Sequence, residues 1–219
     1  MCAAFIAAPA FGVPSVIFRR GDFFGTTGGG EFQIELVSDW SVTPVSLEYD
    51  KGFETFCVER DEHIRFNTIY YVDISTAAVN GGVAGQEPPG SNLDPLHPWT
   101  AYLYRQFITG SLESYNYDND PMWSYDRRAS ADALQYAIWY IEDEITTLPG
   151  GLATTFYDDA VAENWTDIGN VRIMNVYGDA NRTVNKQDQL VMIPAPGAIF
   201  LGTVGIVVVG LLRRRRILS

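Results

Sequence analysis

Cys57 is a residue that could do chemistry, and its surroundings decide which chemistry. It lies in Phe56-Cys57-Val58, inside the stretch Phe53 to Glu59, whose imperfect alternation of polar and apolar residues predicts a strand. A thiol attacks as its thiolate, which an adjacent base must generate. The chain has two histidines, His63 and His97. His63 is six residues from Cys57 and His97 sits in a Pro-rich loop; neither is flanked by the signature of a cysteine hydrolase. Cys2 falls in the N-terminal segment that reads as a leader, which leaves a Cys- and His-type metal site short of ligands, so no metal and no cofactor is expected. Taken alone, a Cys on a strand reads as a small buried hydrophobe.

A second segment, Leu134-Gln135-Tyr136-Ala137-Ile138-Trp139, opens a predicted helix. Taken alone, its Gln reads as solvated or bonded to backbone and its Trp as core. Together with Phe56-Cys57-Val58 it resembles the thioester domains of bacterial surface proteins, which carry an aromatic-Cys-apolar segment followed by an apolar-Gln-x-x-apolar-Trp segment. The resemblance extends loosely over residues 50–193. It implies an internal thioester between the Cys57 sulfur and the Gln135 side-chain carbonyl, with Trp139 as the motif's tryptophan. It also implies a one-shot attachment to an amine, without turnover.

The physics of such a bond is demanding. A thiolate has to expel ammonia, a poor leaving group, and only tight positioning makes that feasible. A strand facing a helix can supply it. Gln135 and Trp139 are four apart and share a helix face, so the indole can roof the bond.

Other constellations are weaker. Asp118-Asn119-Asp120 and the group Asp179, Asn181, Asn185 and Asp188 are rich in oxygen ligands, but neither has the central Gly and terminal Glu of a calcium loop. Turn formation accounts for both. Glu142-Asp143-Glu144 reads as a solvated helix face. The chain is acidic enough to hold a carboxylate pair of the glycoside-hydrolase kind, yet nothing singles one out. Asn164-Trp165-Thr166 and Asn181-Arg182-Thr183 match the glycosylation sequon.

The elements that must position Cys57 and Gln135 follow from pattern. Strands are expected at 31–37, 45–48, 53–59 and 68–74, with residues 19–30 as a Gly-rich opening loop. Residues 80–98 read as loop, and Pro98 opens a helix that Gly110 closes. The main helix is expected over Ser130 to Leu148, with Ser130 as N-cap and Leu134, Ile138, Ile141 and Ile145 facing the core. A shorter helix at 155–164 and strands at 171–177 and 189–193 complete the body. The order predicts a mainly β fold, an antiparallel sandwich or barrel with a helical insertion (α+β), followed by a single C-terminal transmembrane helix.

Charge and ends set the location. Of 219 residues, 27 are acidic and 15 basic, and four of the basic ones are the run Arg213 to Arg216. The preceding body is therefore strongly negative, which disfavours nucleic acid as a partner. Residues 1–18 are apolar, with the small-residue cleavage pattern Ala8-Pro9-Ala10 but no basic n-region; they read as an atypical or truncated signal peptide. Residues 19–193 form the extracytoplasmic domain. Residues 194–212 are uncharged and long enough to span a bilayer, with the arginines as the cytoplasmic stop.

The tail Pro194-Ala195-Pro196, apolar span, Arg213-Arg214-Arg215-Arg216 resembles the PEP-CTERM sorting signal of Gram-negative bacteria, with Ala195 where the family usually has Glu. That resemblance implies the inner membrane and an exosortase-type processing enzyme as partners, then delivery to the cell surface or extracellular matrix. The expected function is a surface- or exopolysaccharide-associated binding protein, not an enzyme. Its targets would be an extracellular amine-bearing protein or matrix polysaccharide. A non-reactive envelope or matrix protein and an extracellular hydrolase are the competing readings.

Overall fold

The structure, a computed structural model, describes residues 13–38, 40, 43–79, 91–118 and 124–194. Eight strands and three helices follow in the order β1 (Ser15–Arg19), β2 (Phe32–Ser38), β3 (Gly52–Thr55), β4 (Ile69–Ser75), β5 (Ala77–Val79), β6 (Leu93–Pro95), α1 (Pro98–Ile108), α2 (Ser124–Ile141), α3 (Leu152–Glu163), β7 (Val171–Tyr177) and β8 (Asn185–Met192). The class is α+β. Six strands form one antiparallel sheet in the order β3-β2-β1-β4-β7-β8, and β5 and β6 form a two-stranded sheet.

The two outer strands of the large sheet meet at the chain just after β3. Leu190 N–H donates to Phe56 O (3.0 Å), Val58 N–H donates to Asp188 O (3.1 Å), and Cys57 bridges to Gln189. Thr55 Oγ1 adds a bond to Leu190 O. The segment that carries Cys57 thus continues β3 along the chain and is held at its side by β8.

Alternation then splits this segment between two cores. Cys57 faces a cluster with Val16, Phe18, Phe32, Ile34, Phe53, Val72, Met174 and Val191, all fully or almost fully buried. Phe56 and Val58 face a second cluster, built on Leu103, Phe107, Leu134, Ile138 and Phe156 from the three helices. Each large side chain buried there contributes roughly 1.5–3 kcal/mol. From α2, Trp139 is buried in the first cluster with Cys57, and the partly buried Tyr136 packs against it.

Several expectations are corrected. The main helix runs over Ser124–Ile141, not from Ser130 to Leu148. Ser130 lies inside it, where its Oγ donates to Asp126 O and accepts from Asn116 N–H. The helix ends early because Asp143 adopts a left-handed backbone (φ 59°). Glu144 N–H then turns back to Trp139 O and Asp143 N–H to Tyr140 O, a Schellman closure that leaves Ile145 beyond the helix. Glu142 and Glu144 are not a solvated face: both are buried, and only Asp143 is exposed. Residues 45–48 are not a strand, because the amides of Leu47 and Glu48 bond to the buried Glu54 carboxylate instead of a neighbouring strand. β5 and β6 were not expected.

The segment Ser15–Arg19 forms β1, between β2 and β4 in the sheet, with Val16 and Phe18 fully buried. A leader boundary at residue 18 would fall within this strand. Residues 1–12 and 195–219 lie outside the described residues, so Ala8-Pro9-Ala10, Ala195, Pro196, the apolar span and Arg213 to Arg216 lie there too. Among the described residues no helix is long and apolar enough to cross a membrane.

Candidate functional site

Cys57, Gln135 and Trp139 converge in the interior. Cys57 and Gln135 are fully buried and Trp139 is nearly so. The Gln135 carboxamide is gripped from every side. Its Oε1 accepts from Gly30 N–H (2.9 Å) and Cys57 N–H (3.3 Å), and the Cys57 thiol lies 3.3 Å from the same oxygen. Its Nε2 donates to Cys57 O at 2.8 Å. The sulfur therefore touches the carbonyl at its oxygen, one bond from the electrophilic carbon.

Two backbone N–H groups aimed at one carbonyl oxygen are what a developing oxyanion requires, because they strengthen as charge gathers there. Burial pushes the Cys57 thiol well above its ordinary range. The Trp139 indole N–H, the Gly30 N–H and the Cys57 N–H pull in the other direction, toward the ionised sulfur. Trp139 Nε1 is buried and makes no hydrogen bond of standard geometry. Its influence on the sulfur is thus a close approach and not a formed bond. A neutral thioester escapes the desolvation cost that a thiolate meets in this site.

The wall opposite Gln135 is the loop between β1 and β2, which the sequence marks only as an opening loop. A Cβ on Gly29 would lie 2.5–2.6 Å from Gln135 Cγ, Cδ and Oε1, and one on Gly30 would lie 2.0 Å from the Phe56 ring. Only glycine lets the backbone come this close. One helical turn before Gln135, the Asp132 carboxylate clasps the loop, accepting from Thr26 N–H, Thr26 Oγ1 and Thr27 N–H at 2.6–3.0 Å. Arg128 Nε adds a bond to Asp22 O.

At the other end of the loop, Glu31 is held by Arg127 through two bonds, 2.8 and 3.2 Å long, and by Tyr115 Oη at 2.7 Å. Arg127 is fully buried, reaches Glu48 as well, and lies over the Phe23 ring. Glu31 follows Gly30 directly, so this ion pair fixes the position of the Gly30 N–H. The signal that could have found this wall is the run Gly28-Gly29-Gly30 just before a strand, which marks a close backbone approach.

Buried carboxyl groups lie on both strands of the Cys57 seam, Glu59 on one and Asp188 on the other. Burial raises Glu59, and the Asp188 carboxylate beside it raises it further. Burial also raises Asp188, although Asn175 Nδ2, Val79 N–H and Val176 N–H all bond to it. Burial pushes Glu142 up to about 8. Asp188 thus serves as an internal strut. Asp179, from the same oxygen-rich stretch as Asp188, caps its own turn through Thr183 and Val184. No cluster of metal-ligating side chains occurs among the described residues. Asn119 and Asp120 lie outside them.

Neither histidine hydrogen-bonds to Cys57 among the described residues. His63 is exposed, with its Nδ1 at the Glu62 carbonyl. His97 Nδ1 accepts from Trp99 N–H and caps α1. Pro194 is the last described residue.

Comparison of the chain with protein-family models, with curated proteins and with solved structures finds no match in any of the three.

Proposed function

We propose that this chain is an exported surface- or matrix-associated binding protein that attaches covalently to amines through a thioester between Cys57 and Gln135. The observation that carries this reading is the geometry of one carbonyl. Gln135 Oε1 is held by two backbone N–H groups while the Cys57 sulfur touches it from 3.3 Å, in a site closed to water.

The chemistry balances without a co-reactant. The Cys57 sulfur adds to Gln135 Cδ, and Oε1 takes the charge between the Gly30 and Cys57 N–H groups. The Cδ–Nε2 bond breaks, and Nε2 leaves as ammonia after taking up the proton that the thiol gives up. A primary amine later adds to the same carbon. An amide forms, the Cδ–Sγ bond breaks, and the thiol regains a proton from the amine. Each chain reacts once, so the protein is a covalent binder and not an enzyme.

The same reading takes the six-stranded sheet as a barrel closed at the Cys57 segment. It takes the tail from Pro194 through Arg216 as a PEP-CTERM-like sorting and anchor signal, read at the inner membrane by an exosortase-type enzyme. The targets are an amine-bearing extracellular protein or a matrix polysaccharide.

A second reading is favoured by the completeness of the hydrogen bonding around Gln135 and by the raised Cys57 thiol. In it the pair is an inert core contact of a structural envelope protein. Intact-mass measurement separates the two. A body lighter by one ammonia, which adds methylamine at Gln135, supports the thioester. An unmodified mass that methylamine leaves unchanged supports the inert pair.

A further inference from the structure

Away from Cys57, the end of α2 and the start of α1 frame an open cleft of about 580 Å³. Its walls are His97, Trp99, Tyr140 and Tyr157, with the exposed Asp143 carboxylate and Thr146 also lining it. The rings stand nearly at right angles to one another. Trp99 and Tyr157 are 6.1 Å apart at 78°, Tyr140 and Tyr157 are 5.2 Å apart at 79°, and His97 and Trp99 are 4.8 Å apart at 70°. Rings so arranged make corners, which surround a compact group. A single flat platform, which suits the face of a sugar ring, is a different arrangement.

The electrostatics select the charge of that group. The Asp143 carboxylate lines the cleft, and among the described residues no Lys or Arg does. Burial and the nearby Glu144 and Asp143 carboxylates push Asp94 up to about 7, which marks a region already crowded with negative charge. Tyr140 and Ile141, the last residues of the 18-residue α2, line the cleft, so the negative pole of that helix points there. The opposing α1 N-terminus is muted, because His97 Nδ1 takes the Trp99 N–H. Burial lowers His97 against the opposing pull of the Asp143 carboxylate, and so favours the neutral ring. Electron-rich ring faces beside a carboxylate bind ammonium groups.

We propose that this cleft binds an alkylammonium group, held against the rings of Trp99, Tyr140 and Tyr157 and paired with Asp143. The site stands on the cleft alone and does not depend on a bond between Cys57 and Gln135.

The test is calorimetric titration of the full chain, in a polyoxyethylene detergent at fixed ionic strength. The probes are tetramethylammonium and n-butylammonium chloride, with tert-butanol as a neutral analogue of similar shape and glucose as a sugar. Saturable binding is expected for at least one ammonium, at least about tenfold tighter than for tert-butanol. A preference for tetramethylammonium assigns the natural source to a quaternary headgroup, and a preference for n-butylammonium assigns it to a lysine-type side chain. Asp143→Asn is expected to weaken binding several-fold without disturbing the helix end, since Asn accepts a left-handed backbone. Tyr157→Leu is expected to abolish binding and Tyr157→Phe to keep it. Equal affinity for tert-butanol, binding of glucose with no saturable ammonium signal, or wild-type affinity in both Asp143→Asn and Tyr157→Leu overturns the proposal.

Discussion

Gly30 N–H and Gln135 Oε1 lie 2.9 Å apart, across a sequence separation of 105 residues, and with Cys57 N–H they define a pocket for negative charge on a side-chain carbonyl. The loop that carries Gly30 is held against α2 at both ends, by Asp132 and by Arg127. The geometry therefore depends on the approach of backbone to side chain, which leaves no room for a methyl group at residue 29.

Gly29→Ala is accordingly expected to displace the Gln135 carboxamide and abolish ammonia loss, read by intact mass. Gly150→Ala, where an added Cβ meets nothing within 4 Å, is the matched control and is expected to leave the mass as in wild type. Ammonia loss preserved in Gly29→Ala would show that the close approach is not required.

Cys57→Ala removes the nucleophile but leaves Gln135 its bonds to Gly30 N–H and Cys57 O. Methylamine incorporation is expected to fall to zero while the fold persists. Gln135→Ala leaves the Gly30 and Cys57 N–H groups unpaired inside the protein, at a cost of about 1–3 kcal/mol. Chemical denaturation of the two variants is expected to rank Gln135→Ala below Cys57→Ala in stability.

Arg127→Met strands the Glu31 carboxylate in a fully buried position. Unpairing one member of a buried ion pair costs about 3–5 kcal/mol. The double variant Glu31→Leu/Arg127→Met is expected to recover a large part of that loss, because no lone buried charge remains and the exposed Glu48 carboxylate stays in contact with water. A double variant no more stable than Arg127→Met would mean that the pair acts through geometry alone.

Stability is expected to fall as pH rises from about 5 to about 8. Burial holds Glu142 up to about 8 and Asp94 up to about 7, and it raises Glu59 and Asp188 as well. In an unfolded chain these carboxyls ionise near pH 4. Between those limits the folded state binds more protons than the unfolded state, so each added pH unit favours unfolding. Asp179, which its turn lowers, acts in the opposite sense only below that window. Thermal melts across pH 5 to 8 check the slope, and a melting temperature that climbs with pH contradicts it.

Processing can be read at both ends. β1 begins at Ser15 and its Val16 and Phe18 are core residues, so cleavage after Ala10 leaves the sheet whole whereas cleavage after Phe18 removes most of a strand. If the chain is exported as proposed, N-terminal sequencing of the mature protein is expected to start near Phe11. Deleting residues 194–219 is expected to release the body into the medium, and unchanged retention on the cell would argue against a C-terminal anchor.

Cys57, Gln135 and Trp139 each read alone as ordinary core residues, and only the joint pattern of two short segments singles them out; the structure brings the three side chains together. The α+β class and the order of most strands were legible from alternation. What the sequence concealed depends on long-range pairing. The loop at 19–30 has no periodicity, and its place on Gln135 is set by Asp132, more than a hundred residues away. Arg127 falls before the expected start of the helix at Ser130, and nothing in the pattern links it to Glu31, 96 residues away. The end of α2 was misplaced because Ile145 continues the apolar spacing, while the left-handed Asp143 breaks the helix through backbone geometry that composition does not mark. Glu142 and Glu144 look solvent-facing by charge. They are buried because Glu142 accepts His97 N–H and Glu144 accepts Arg60 N–H, which fastens two other segments to the helix end.

The exit of β8 bears on mechanics. Val45 N–H bonds Met192 O, Ile193 N–H bonds Asn170 O, and Asn170 Nδ2 bonds Ile193 O in return. Tension applied through the tail therefore meets three fasteners before it reaches the ladder between β7 and β8. Past them, β8 also grips the Cys57 segment. A pull on that end would load these bonds and the Cys57 seam together with the β7–β8 ladder, so the last strand cannot be stripped from β7 alone.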